Sequence, residues 1–104
     1  MPVTVVATMK AKPESVDTVR DACKKAMEAV HSEPGCDLYS LHEADGTFVF
    51  VEQWADTDAL TAHSTAPAVA TLFGAIGEHL DGAPDIKMLQ PVVAGDPTKG
   101  ALRP

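Results

Sequence analysis

Two strand-like runs that meet at Asp45-Gly46 constrain this chain more than any other feature. Residues Cys36 to His42 and Thr47 to Trp54 are rich in aromatic and β-branched side chains or alternate apolar with polar ones. An Asp-Gly pair between two such runs is a strong signal for a tight antiparallel hairpin, because both central residues of its turn need positive φ. A central hairpin limits what can flank it. On its N-terminal side, Val3 to Met9 is rich in β-branched residues and free of Gly and Pro, which predicts a strand. Pro13 then suits the first turn of a helix, with Glu14 and Asp17 near the positive end of its dipole. Val16, Val19, Cys23, Met27 and Val30 recur at spacings of three and four, predicting one buried helical stripe through about Ser32. Pro34-Gly35 ends it, since proline lacks an N–H donor and glycine accepts a left-handed turn.

After the hairpin a second helical stretch is expected in two pieces, about Thr57 to His63 and Ala68 to Leu80, interrupted at Ala66-Pro67. Gly74 and Gly77 weaken its second half. Ile86 to Val93 reads as a last strand, so residues 1–94 form the expected domain and 95–104, rich in Gly and Pro, a tail. Strand, helix, strand, strand, helix, strand is the split βαβ order of a ferredoxin-like α+β fold: a four-stranded antiparallel sheet with two helices on one face. Strand three carries Phe48 and Phe50 on one side and Val49 and Val51 on the other, and strand one alternates Val3, Val5 and Ala7 with Val6. A sheet apolar on both faces needs a second cover, and an identical subunit about a two-fold axis supplies it, so a homodimer is expected.

Composition excludes several classes. At 104 residues the chain fits one domain and buries roughly two-thirds of its unfolded surface. With 45% hydrophobic and 22% charged residues it resembles ordinary globular domains, and neither disorder nor a fibrous repeat is indicated. No apolar run approaches the roughly 18 residues of a membrane span, and Met1-Pro2-Val3 opens without a basic-then-apolar signal region, so the expectation is a cytoplasmic protein without a membrane partner. A net charge of -7 argues against nucleic acid and anionic lipid. Cys23 and Cys36 lack CxxC or Cys/His spacing and fit reduced, packed thiols. His31, His42 and His79 share no ligand spacing, so no metal site is expected.

The residues able to carry chemistry are few. Trp54, at a strand end, can wall an aromatic pocket or simply fill the core. His63, nine residues later on the next helix, can accept a phenolic proton near neutrality, or bond a carbonyl or carboxylate at a helix end. Glu52 lies on the Phe48, Phe50, Trp54 side of its strand, where it would need a partner such as His63 to offset desolvation; otherwise it sits solvated at an edge. Tyr39 can point its hydroxyl into a pocket or pack as an amphipathic core residue. Phe73 reads as helix core that can also line a cavity.

Glu33-Pro34-Gly35-Cys36 before Leu38-Tyr39, then Glu52-x-Trp54, then Asp58-Ala59-Leu60-x-x-His63, resembles the antibiotic biosynthesis monooxygenase family, including its quinol monooxygenase-like members. The resemblance covers about residues 3–93. It implies a dimeric α+β barrel with a pocket between each subunit's sheet and helices. It also implies O2-dependent oxidation of a small aromatic phenol, hydroquinone or other quinone-like substrate without metal, flavin or haem. Haem-degrading relatives use an Asn, and this chain has none. On this reading His63 and Glu52 are the catalytic residues, Trp54, Tyr39, Phe50, Leu60 and Phe73 contact the substrate, and no cofactor is required. An electron-rich phenolate can itself pass an electron to O2, so one base in a dry aromatic pocket suffices. The alternative is a non-catalytic dimeric module that binds a hydrophobic metabolite.

Overall fold

In the computed structural model, which describes residues 1–103, the hairpin closes through Asp45 at φ 50° and Gly46 at φ 78°. Positive φ at both positions gives the turn the twist that matches its flanking strands. The elements run β1 (Val3–Lys10), α1 (Val16–His31), β2 (Cys36–Ala44), β3 (Thr47–Trp54), α2 (Thr57–Ser64), α3 (Pro67–Ile76) and β4 (Asp85–Leu89), with single 3-10 turns at Pro13–Ser15 and Gly77–His79. They form one four-stranded antiparallel sheet in the order β2-β3-β1-β4. This is the ferredoxin-like α+β plan.

One sheet face carries the core. Val3, Val5, Ala7 and Met9 of β1 and Phe48, Phe50 and Trp54 of β3 are buried beneath Val19, Cys23 and Val30 of α1 and Leu60, Leu72 and Ile76 of α2 and α3. The helical stripe read from the sequence is the face α1 presents to the sheet, with Val16 and Met27 packed at its margin. Arg20 closes one end of this layer: it bonds Glu43 at 2.7 Å and Asp17 at 2.6 Å while its guanidinium lies 5.9 Å over the Phe48 ring. The opposite sheet face is more polar than the sequence suggests. Val6, Val49 and Val51 are half-buried there among Thr4, Thr8 and Ser40, and Lys10 and His42 are exposed.

Three of the boundaries that differ from the sequence reading do so for a local reason. Pro13 opens a 3-10 turn rather than α1 itself, and that turn is pinned to the second one by Ser15 Oγ to His79 Nδ1 at 2.9 Å and Lys12 N–H to His79 O at 2.9 Å. The helix after Pro67 tightens at Gly77, and Leu80 turns extended to bridge Ala11. β4 ends at Leu89 instead of Val93, before Pro91, which has no N–H to give a ladder. Residues 90–103 carry no helix or strand, and Pro104, the end of the expected tail, lies outside the described residues. No single helix among the described residues is long and apolar enough to cross a membrane.

Two glycines separate close packing from mere tolerance. Gly35 has φ +80°, and a Cβ built there would stand 2.5 Å from the Ala59 side chain, whereas Gly74 lies in α3 facing open space. Gly35→Ala is expected to destabilise by at least about 1–2 kcal/mol from backbone strain alone. Gly74→Ala should stabilise by about 0.5–1 kcal/mol. Urea unfolding of both variants checks this, and equal midpoints would contradict the packing described for Gly35.

Candidate active site

The site is built where the turn after α1 meets the start of α2. Gly35 O accepts the Ala55 N–H at 2.8 Å, and Asp56 caps α2 by accepting the Ala59 N–H at 2.8 Å. These two bonds fix the direction of α2 and carry His63, two turns along, back beneath the turn that holds Glu33. His63 Nδ1 bonds Glu33 Oε1 at 2.8 Å. Its Nε2 lies 3.9 Å from Glu52 Oε1, and that oxygen accepts the Trp54 Nε1–H at 2.9 Å. The imidazole is stacked on the Trp54 indole, centroids 4.4 Å apart, and meets the Tyr39 ring edge-on at 5.6 Å. Tyr39 in turn stacks on Phe50 at 4.5 Å. The side chains of His63 and Glu52 are only 9% and 5% exposed, so these contacts act in a low-dielectric interior where each charge matters.

Beside this cluster lies a cavity of about 270 Å3. Its aromatic walls are Tyr39, Phe50 and Phe73, its aliphatic walls include Val5, Met9, Leu60 and Leu72, and its ionisable lining groups besides Tyr39 are Glu52 and His63. Ile86 of β4, 54% exposed, borders it on the side the helices leave bare. Burial, reinforced by the Glu33 charge, raises the Glu52 carboxyl above the ordinary range, while the Trp54 bond and His63 work the other way. Burial and the nearby Glu52 push the Tyr39 phenol far up, so it stays protonated and keeps its O–H to donate to a ligand. Cys36 is raised by burial and then by Glu33 and Glu52, which keeps its thiol protonated and unreactive. Among the described residues no group of three or more His, Cys, Asp or Glu side chains is arranged to hold a metal ion.

Six of the seven residues singled out from the sequence, His63, Glu52, Tyr39, Phe50, Leu60 and Phe73, line the cavity. Trp54 does not: it is fully buried behind His63 and acts on the site through its stack and its bond to Glu52. The bond from Glu52 expected to orient His63 is replaced by the one from Glu33, since 3.9 Å is too long for a hydrogen bond. Glu33 stands in the Glu-Pro-Gly-Cys run itself. Its place beside the helix-ending Pro34-Gly35 is the signal that could have drawn it to the site. Ile86 was also missed, because an exposed edge-strand residue looks like any other.

Comparison with known proteins points one way. Residues 2–74, from β1 through most of α3, match the family model described as antibiotic biosynthesis monooxygenase. A Caulobacter crescentus crystal structure described as a candidate member of that group superposes with a TM-score of 0.82 at 29% identity, covering 88% of this chain and 90% of that one. A Methanosarcina mazei protein gives 0.81 at 26% identity over 86% and 92% of the two chains. An uncharacterised protein of Synechocystis sp. is 33% identical over 64% of this chain, and the matched region spans 47% of that relative's length.

The buried carboxyl of Glu52 makes stability depend on pH in a defined direction. Its proton is held more tightly folded than unfolded, so its contribution is fully present below the unfolded value and is lost as pH rises through the raised folded value. Glu52→Gln keeps an oxygen for the Trp54 N–H and removes the titration. Wild-type unfolding free energy should therefore fall relative to Glu52→Gln as pH rises from the ordinary carboxylate range. Parallel stability curves in denaturant titrations across that window would show that Glu52 is not buried as described.

Proposed function

This chain belongs to the antibiotic biosynthesis monooxygenase family, and on that footing we propose that it oxidises a small phenol or hydroquinone with O2 and no bound cofactor. The observation that carries this reading is His63, anchored at Nδ1 by Glu33, lining an apolar, aromatic-walled cavity beside a buried carboxylate. Cavity size bears on the substrate. About 270 Å3 is under twice the roughly 150 Å3 that holds benzene, which favours substrates of one or two fused rings. Charge bears on it too. With Glu52 among the lining groups and no Lys or Arg there, a neutral phenol is favoured over a carboxylated or phosphorylated ring.

The chemistry follows from these groups. His63 takes the phenolic proton, and the imidazolium so formed lies between Glu33 and Glu52, both of which favour it. Tyr39 donates to a second ring oxygen. The phenolate then supplies the electrons: one oxygen atom of O2 enters the ring, the other leaves as water, and a hydroquinone departs as its hydroxyquinone. Apolar walls exclude the bulk water that would hold the phenolate in a stable, solvated form.

O2 uptake with a panel of one- and two-ring hydroquinones tests this. His63→Ala should lower turnover by about two to four orders of magnitude, the usual range for a general base, with partial recovery at high pH where the substrate ionises unaided. Parental rates in a folded His63→Ala variant would remove the histidine from the chemistry. Ligand binding without O2 uptake by the wild type would assign the protein to metabolite binding alone.

The same reading places the protein in a two-fold dimer. Support comes from the half-buried Val6, Val49 and Val51 on the sheet face away from the helices, and from Met88, Leu89, Val92 and Val93 exposed along β4 and the segment beyond it. Light scattering at micromolar concentration should give twice the chain mass, and a monomer mass would refute it.

A further inference from the structure

We propose that Glu33 is the positioning residue of His63: by holding the ring proton on Nδ1 it leaves Nε2 as the proton acceptor on the Glu52 side, where the cavity lies. The inference rests on the reading of His63 as the base. A neutral imidazole has one N–H, and two carboxylates compete for it here. Glu33 stands at hydrogen-bond distance, 2.8 Å, while Glu52 at 3.9 Å does not, so Glu33 takes the proton. Were the competition reversed, Nε2 would point its N–H at Glu52 and the lone pair would face Glu33, away from the cavity. No proton acceptor on the ring would then serve a substrate.

Glu33 is built for such a role and for no direct one. It does not line the cavity. Its side chain is 15% exposed, and its second oxygen, Oε2, is buried without a hydrogen-bond partner. Leaving a carboxylate oxygen unpaired inside a protein is costly, and a plain tether between turn and helix would be served better by Gln or Ser. The charge has a use if it steadies the imidazolium that forms when Nε2 gains a proton. Among the described residues the titratable groups facing His63 are Glu33 from the turn after α1, Glu52 from β3, and Tyr39 from β2, with the Cys36 thiol of β2 close to both carboxylates. The turn is stiff enough to hold this geometry, since Pro34 follows Glu33 and Gly35 is locked to Ala55 and Ala59.

Trp54 makes the idea testable without turnover. It is the chain's one tryptophan and stacks on His63, and an imidazolium quenches indole fluorescence, so emission against pH carries the charge on His63 together with that on Glu52, which the His63→Gln variant separates. In Glu33→Gln the His63 part of that curve should move to lower pH, with His63→Gln as the control that removes this part and leaves only the response to Glu52, whose carboxyl accepts the indole N–H. Long-range 15N correlation spectra of the wild type, which need no variant, should show His63 protonated at Nδ1 when neutral. With an accepted hydroquinone, Glu33→Gln should lower kcat at least about 10-fold, and it should leave KM unchanged because Glu33 does not line the cavity. An Nε2–H tautomer in the wild type, or superimposable emission curves for wild type and Glu33→Gln, would overturn the proposal. If no hydroquinone is oxidised, the proposed reaction falls while both spectroscopic results still decide the role of Glu33.

Discussion

The contact on which the rest of the site depends is the approach of the Gly35 turn to the first turn of α2. Only a residue without a side chain fits between Ala55 and Ala59 there, and only glycine takes φ +80° without strain. That approach lets Gly35 O capture the Ala55 N–H, which sets where β3 hands over to α2. Everything polar in the interior follows. Glu33 stands two residues before this glycine and His63 four residues after Ala59, so closing the gap brings the two together. A single backbone junction thus converts a pair thirty residues apart into a buried 2.8 Å contact.

Buried charge is the second constraint, and its arrangement is asymmetric. Glu52 has a donor in Trp54, so its desolvation is partly offset, but its carboxyl remains raised because burial outweighs that bond. Glu33 has His63 at one oxygen and nothing at the other. A core selected for stability alone would replace this cluster with apolar side chains of similar volume. Its place beside the cavity is what the proposed proton-handling role requires.

Most of the architecture was legible because it rests on local signals. The Asp45-Gly46 turn, the alternation in β1 and β3 and the stripe of α1 each follow from a period or a turn preference, and each appears where the residues place it. The elements that shifted depend on neighbours: the 3-10 turns at Ser15 and His79 exist because they bond each other, and no pattern within either one reveals its partner. At the site, six of the seven residues singled out line the cavity because they share the inner face of β2, β3, α2 or α3. Glu33 and the hidden position of Trp54 could not be read the same way. One depends on a contact across thirty residues and the other on which of two aromatic groups lies nearer the void.

The cavity itself is a consequence of where helical cover stops. Ile86 and Met88 pair with Ala7 and Val5 in the sheet register and so share their face, yet they are 54% and 70% exposed where Val5 is 2%. α1 and α3 cover β2, β3 and β1 but do not reach over β4. Leu60 and His63 from α2 and Val69, Leu72 and Phe73 from α3 overhang the boundary, leaving space below them that Ile86 borders from the open side. An edge strand left half-covered is normally a liability that charge or proline must blunt, and Asp85, Lys87 and Pro91 flank the apolar residues here in that manner. The same incomplete cover that exposes β4 therefore opens a route from solvent to the otherwise sealed His63 and Glu52.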